Sequence, residues 1–113
     1  MTTANDTKSN SSFAPHLLRA APVEAKGYMD FSEAALKNPD GAIEPKYREL
    51  IAIAVALTTQ CEMCLESHVA AAHAVGASRE EIAETTFITA ALRAGGAFAH
   101  GMKALRMLDD ISE

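Results

Sequence analysis

Apolar residues recur every three to four positions along most of the chain, which is the spacing of helices that bury one face. The first such segment covers residues 23–37 and ends at the turn sequence of residues 38–41, Asn-Pro-Asp-Gly. Pro45 suits the opening of a second helix because proline fixes φ near the helical value and lacks an N–H that would be unpaired there. We expect that helix to run to about Thr59.

A third helix is expected over residues 61–75, ended by Gly76. Ser78 and Glu81 then form the pattern of a capping box, in which each side chain accepts a hydrogen bond from the backbone N–H of the other residue. The capping box predicts the start of a fourth helix, which we expect to run to Arg93.

Gly95 and Gly96 predict a break in the chain before a last helix that ends near Leu108. Sustained alternation of apolar and polar residues, the pattern of strands, is absent from the sequence. We therefore expect an all-α fold of five to six helices with a central antiparallel helix hairpin. Residues 1–14, mostly small and polar, are predicted to be a disordered tail, and residues 15–113 a single compact domain.

The length, hydrophobic content and net charge of the chain argue against several classes of function. A chain of 113 residues with 49 % hydrophobic residues is large enough for one modest core. Its net charge of -5 and its lack of a Lys or Arg cluster argue against nucleic acid or a membrane surface as a partner. The longest uncharged run, residues 50–61, is too short to span a bilayer, and the N-terminus does not resemble a secretory signal. These features predict a cytoplasmic protein.

The two cysteines of the chain, Cys61 and Cys64, form a C-x-x-C pair. In a reducing compartment such a pair is more often catalytic or metal-binding than structural. At about 100° per residue, Cys61, Cys64 and His68 fall on one face of the third helix. The helix N-terminus favours the thiolate form of cysteine, and His68 is the local base that can take the proton of Cys64. The spacing also permits a disulfide between the two cysteines.

Glu49 joins this group through helix pairing. A short turn near Gln60 would fold the second and third helices into a hairpin that brings Glu49 within reach of His68. Glu49 shares a stripe with Ile53 and Ala56 and is expected to face inward, where a carboxylate requires a partner. The predicted array has Glu49 orienting His68, His68 activating Cys64, and Cys61 resolving the oxidised sulfur.

The run PKYRELIAIAVALTTQCEMCLESHVAAAHAVGASREEIAE resembles the core of the AhpD-like alkylhydroperoxidases, within the carboxymuconolactone decarboxylase superfamily. The resemblance covers roughly residues 39–108. It rests on Glu49, on Cys61 twelve positions later, and on Cys64 and His68 at the spacing of the family motif. The decarboxylases of the superfamily lack the cysteine pair, which argues against a decarboxylase role.

The resemblance implies an all-helical fold and thiol-dependent reduction of small peroxides, with a Cys61–Cys64 disulfide in the cycle. It further implies a dithiol reductant, either a lipoylated or a thioredoxin-like protein, and a homo-oligomer, often a trimer or a hexamer. The best-known peroxidases of this type carry a histidine between the two cysteines, where this chain has Met63. No glycine-rich phosphate-binding motif occurs, so we expect electrons to arrive by thiol exchange and no bound cofactor.

Other interpretations of these residues stay open. The same fold could serve a protein disulfide reductase, or a non-enzymatic redox sensor or scaffold whose disulfide changes an oligomer interface. Cys61, Cys64, His68 and Glu49 could together bind zinc, although structural zinc sites seldom take most of their ligands from one helix. Glu49 could instead be an exposed residue that complements the helix dipole, and the C-x-x-C pair could be coincidental.

Overall fold

The computed structural model describes residues 12–112, which form five α-helices and no β-strand. The helices are α1 (Ala14–Ala20), α2 (Pro22–Lys37), α3 (Pro45–Thr59), α4 (Glu62–Ala74) and α5 (Arg79–Ser112). The predicted all-α fold is therefore confirmed. Most of the predicted tail lies outside the described residues, and its last residue, Ala14, begins α1. No helix within residues 12–112 has both the length and the apolar character needed to cross a bilayer.

A boundary between Pro45 and Lys46 divides the described residues into two compact units. The first contains α1, which the sequence patterns did not predict, and α2, which matches the first predicted helix. The predicted turn after α2 is present: the backbone N–H of Asp40 donates to Asn38 Oδ1 at 3.0 Å, and that of Gly41 to the Asn38 carbonyl at 3.2 Å. An Asn side chain that replaces a backbone acceptor in this way ends a helix firmly.

The second unit contains the predicted hairpin of α3 and α4. The buried residues of α3 are Glu49, Ile53 and Ala56, the stripe expected to face inward. Only two residues, one of which is Gln60, separate the helices, and Gln60 adopts a left-handed φ of 57°. A residue with this conformation changes the direction of the chain within the two-residue connection, so the two helices are antiparallel.

Two contacts align the first half of α5 with α3. Lys46 Nζ lies 2.8 Å from Glu81 Oε2 at the start of both helices, and Arg93 donates to the Thr58 carbonyl at 2.8 Å near the end of α3. Thr58 follows Lys46 by twelve residues on α3, and Arg93 follows Glu81 by twelve residues on α5. The two helices therefore run parallel. The Lys46 ammonium lowers the pKa of the Glu81 carboxyl, and the Ser78 backbone N–H lowers it further.

The N-terminus of α5 carries the predicted capping box. The Ser78 N–H donates to Glu81 Oε1 at 2.9 Å, and the Glu81 N–H donates to Ser78 Oγ at 3.0 Å. These two bonds satisfy donors that a helix start otherwise leaves unpaired.

The predicted break at Gly95 and Gly96 is wrong. Helix α5 continues without interruption for 34 residues and ends at Ser112, not near Leu108. Neither glycine has a positive φ, whereas Gly76, which precedes α5, has one of 91°. A helical glycine costs about 1 kcal/mol relative to alanine, and neighbouring alanines and leucines offset that cost.

This correction predicts opposite effects for two glycine substitutions. Gly96→Ala should stabilise the protein by about 1 kcal/mol, because the position is helical and an added Cβ would meet no atom within 4 Å. Gly76→Ala should destabilise it by about 1 kcal/mol, because alanine disfavours a left-handed φ. Urea unfolding followed by circular dichroism measures both changes. Destabilisation by Gly96→Ala would show that residue 96 belongs to a turn.

Candidate redox site at the start of α4

The cysteine pair occupies the N-terminus of α4. Cys61 is the N-cap residue, one position before the first helical residue, and its Sγ accepts a hydrogen bond from the Cys64 backbone N–H at 3.3 Å. The two sulfurs form a disulfide, with Cα atoms 5.2 Å apart. Because the N-cap sulfur already accepts an N–H at the positive end of the helix dipole, the reduced form of Cys61 is in a position that favours a thiolate.

The hairpin turn anchors the pair to the end of α3. The Cys61 N–H donates to the Ala56 carbonyl at 3.0 Å, and the Leu65 N–H donates to the Cys61 carbonyl at 3.0 Å. Backbone hydrogen bonds of the hairpin turn therefore hold the pair, and both cysteine residues remain partly exposed.

Glu49 and His68 meet across the hairpin. Glu49 Oε1 lies 2.7 Å from His68 Nδ1, and the two side chains are 8 % and 21 % exposed. The alternative of an exposed Glu49 is thus wrong, because its carboxylate is buried against the imidazole. Since a carboxylate oxygen can only accept, Nδ1 is the nitrogen that donates, and Nε2 is left as the nitrogen that can act on a third group.

His68 stands one helical turn after Cys64, and side chains at this spacing have Cβ atoms about 5–6 Å apart. The structure shows the Glu49–His68 contact and the Cys61–Cys64 contact directly, and the helical spacing of Cys64 and His68 places the two contacts one turn apart. Such an array can move a proton from a thiol to an oriented imidazole and can store two electrons in the cysteine pair. No group of three or more His, Cys, Asp or Glu side chains within residues 12–112 is arranged to hold a metal ion.

Arg93 is a feature of this end of the molecule that sequence reasoning missed. Its guanidinium binds the Thr58 carbonyl in the last turn of α3, the turn whose Ala56 carbonyl binds the Cys61 N–H. A cation at this position complements the negative end of the α3 dipole. No local sequence pattern indicates this role of Arg93. Arg93 follows Glu81 by twelve residues, as Thr58 follows Lys46, but this match predicts a contact only once α3 and α5 are known to be parallel.

Comparisons with known proteins identify the family of the chain. The profile of the carboxymuconolactone decarboxylase family matches residues 22–107. The chain is 49 % identical over 72 residues to an uncharacterised protein of the cox locus of Paracoccus denitrificans, over 64 % of this chain and 65 % of the relative. The aligned part is thus slightly under two thirds of that relative's length. An uncharacterised protein of Cupriavidus necator is 29 % identical over 83 % of this chain and 81 % of its own.

Two crystal structures resemble the fold. A protein from Methanobacterium thermoautotrophicum superposes with a TM-score of 0.73 at 26 % identity, over 81 % of this chain and 98 % of its own. A carboxymuconolactone decarboxylase family protein from Legionella pneumophila superposes with a TM-score of 0.64 at 29 % identity, over 98 % of this chain and 94 % of its own. The profile match and these similarities show that the chain belongs to the carboxymuconolactone decarboxylase family.

Proposed function

We propose that this protein is a thiol-dependent oxidoreductase that reduces small hydroperoxides through Cys61 and Cys64. The observation that carries the proposal is the 2.7 Å hydrogen bond between buried Glu49 and His68, one turn from a cysteine pair at a helix N-terminus. A family that contains both decarboxylases and alkylhydroperoxidases does not itself decide the reaction. A cysteine pair beside an oriented imidazole favours redox chemistry.

The cycle begins with the reduced pair. His68 Nε2 accepts the proton of the Cys64 thiol, and Glu49 holds the ring by Nδ1 and stabilises the imidazolium. The Cys64 thiolate attacks the terminal oxygen of the hydroperoxide. The O–O bond breaks, an S–O bond forms, and the alkoxide leaves as an alcohol with the proton that His68 carries. Cys64 is then a sulfenic acid, and the hydroperoxide has gained two electrons.

Cys61 completes the first half of the cycle. Its thiolate, which the Cys64 N–H stabilises, attacks the Cys64 sulfur, so an S–S bond forms and hydroxide leaves as water after protonation. The product is the Cys61–Cys64 disulfide present in the structure. A dithiol reductant, a lipoylated or thioredoxin-like protein, then donates two electrons and two protons by exchange through a mixed disulfide, and itself becomes a disulfide.

A protein disulfide reductase is the second candidate, and Met63 favours it. Met63 stands between the cysteines, is half exposed, and offers neither a proton donor nor an acceptor of useful strength. Its thioether is instead suited to an apolar contact with a partner next to the exchanging sulfurs. In this case the dithiol form would reduce an external disulfide, and His68 would still deprotonate Cys64.

One experiment separates the two candidates. Reduced protein, freed of reductant, receives one equivalent of tert-butyl hydroperoxide or of a glutathione-type disulfide, and intact mass is followed over seconds to minutes. We expect the hydroperoxide to remove two hydrogens faster than the disulfide does. If only the disulfide oxidises the pair, the protein is a disulfide reductase. If neither reagent does, while both thiols can be alkylated, the proposed function is wrong and a sensor role gains support.

A further inference from the structure

A residue in an unfavourable backbone conformation directly precedes the cysteine pair. Gln60 has a φ of 57° and is the one non-glycine residue within residues 12–112 with a positive φ. The left-handed conformation lowers the population of a residue that carries a Cβ by roughly 5- to 30-fold. The Cys61 N–H closes the turn by donating to the Ala56 carbonyl at 3.0 Å. A residue such as Gln60 keeps this conformation only where the surrounding contacts hold it there.

The end of α4 shows the same type of turn with a different residue at the left-handed position. There the Ala77 N–H donates to the Ala72 carbonyl at 2.9 Å, across Gly76 with its φ of 91°. Both turns have the hydrogen bond of a Schellman motif, which usually places glycine at the left-handed position. Glycine adopts this conformation without a steric cost and glutamine does not. The turn at Gln60 therefore needs support that the turn at Gly76 does not need.

Arg93 supplies support of this kind from another helix. The last four carbonyls of α3 have no N–H partner within that helix. The Arg93 guanidinium donates to one of them, the Thr58 carbonyl, at 2.8 Å and two residues before Gln60. Arg93 belongs to α5, whose start is joined to the start of α3 by Lys46 and Glu81. The end of α3 is thus fixed by a side chain from outside the hairpin.

We propose that Arg93 is a positioning residue: it holds the turn at Gln60 and so keeps Cys61 in the geometry that forms the disulfide with Cys64. The inference rests on the redox role of the cysteine pair in the proposed function, and it does not depend on which oxidant reacts. In the disulfide form, the S–S bond itself fixes the two Cα atoms 5.2 Å apart. In the dithiol form that bond is absent, so Arg93 acts mainly on the dithiol form.

Loss of the Arg93 contact affects the two halves of the oxidation differently. Without it, a larger fraction of dithiol molecules has a relaxed turn, and disulfide formation becomes less favourable in proportion to the fraction that keeps the closing geometry. One hydrogen bond changes such an equilibrium by about fivefold. The first attack by Cys64 should be unchanged, because Cys64 and His68 both lie on α4, after the turn.

Equilibration with glutathione tests the role of Arg93 without hydroperoxide. The Cys61–Cys64 bond forms as the pair gives two electrons and two protons to oxidised glutathione, which becomes two molecules of reduced glutathione. The protein is equilibrated anaerobically at a series of glutathione ratios, free thiols are alkylated, and intact mass gives the fraction in the disulfide form. Arg93→Met keeps an apolar stem but has no N–H donor, so it should lower the equilibrium constant about fivefold.

Arg79→Met is the matched control, because it removes the same charge from the same helix, about 21 Å before Arg93. It should leave the equilibrium constant at the wild-type value. Circular dichroism of the reduced proteins should show the same helical content in both variants. An unchanged equilibrium constant in Arg93→Met, or an equal decrease in both variants, would overturn the proposal.

A second substitution tests whether Arg93 acts through the turn. Gln60→Gly removes the cost of the left-handed conformation, so the turn no longer requires the Arg93 contact. Combined with Arg93→Met, it should restore the wild-type equilibrium constant. If the double variant remains as low as Arg93→Met, Arg93 does not act through the turn and the proposal is wrong. Since no hydroperoxide is present, failure of the proposed peroxidase reaction would leave this result unchanged, and the two failures are distinguishable.

Discussion

Cys64→Ser is expected to abolish hydroperoxide turnover completely, which is the largest effect that the proposed cycle predicts. The serine hydroxyl stays protonated beside His68 and does not attack an O–O bond, so neither the sulfenic acid nor the disulfide can form. The measurement is consumption of tert-butyl hydroperoxide with a dithiol reductant in excess. Because Cys64 is only partly buried and serine differs by one atom, helical content should be unchanged in circular dichroism.

Cys61→Ser is the matched control for this result, since it alters the same pair with an equally small change. It should react once with hydroperoxide and stop at the Cys64 sulfenic acid, visible as one added oxygen in intact mass. Full activity of Cys64→Ser would contradict the assigned roles. Repeated turnover by Cys61→Ser without added thiols would show that the internal disulfide is not part of the cycle.

The candidate site was largely predictable because its geometry is local. Cys61, Cys64 and His68 share one helix, so the helical repeat alone places them on one face. Glu49 lies on the neighbouring helix, but the turn at Gln60 is so short that the hairpin register follows from counting residues. The hydrogen bond between Glu49 and His68 agrees with that count. The catalytic roles of these residues stay predictions until the variants are measured.

Features that depend on distant residues were not predictable in the same way. Whether Gly95 and Gly96 interrupt a helix depends on about 1 kcal/mol per glycine, which is similar to the contribution of the residues around them. The contact of Arg93 with Thr58 joins residues 35 positions apart and requires the direction of α5 to be known. Helix α1 has seven residues, and the apolar periodicity of so short a segment does not distinguish a helix from an irregular segment.

The continuity of α5 determines which of its apolar residues can be buried within the helix pair that the sequence predicted. Two helices separated at Gly95 and Gly96 could fold back on each other and bury their apolar residues internally. A single 34-residue helix cannot do so, and its residues from Ala90 to Ser112 are all exposed.

His68→Ala is expected to slow the reaction of Cys64 with hydroperoxide by about 100-fold or more near neutral pH, because it removes the base that takes the thiol proton. The defect should shrink as pH rises above the ordinary thiol pKa of about 8.5, where Cys64 loses its proton without help. Single-turnover rates measured by stopped flow between pH 6 and about pH 10 test this dependence. The control is His73→Ala, on the same helix but away from the cysteine face, and it should behave as wild type at every pH.

Glu49→Gln extends this test to the positioning residue, because glutamine can still accept a hydrogen bond from Nδ1 but does not stabilise the imidazolium. We expect about a tenfold loss for Glu49→Gln alone. The double variant with His68→Ala should be no slower than His68→Ala, since Glu49 acts through the imidazole and residues of one unit are not additive. Additive losses would mean that Glu49 acts on Cys64 by another route. A loss in His68→Ala that persists at high pH would assign His68 a structural role.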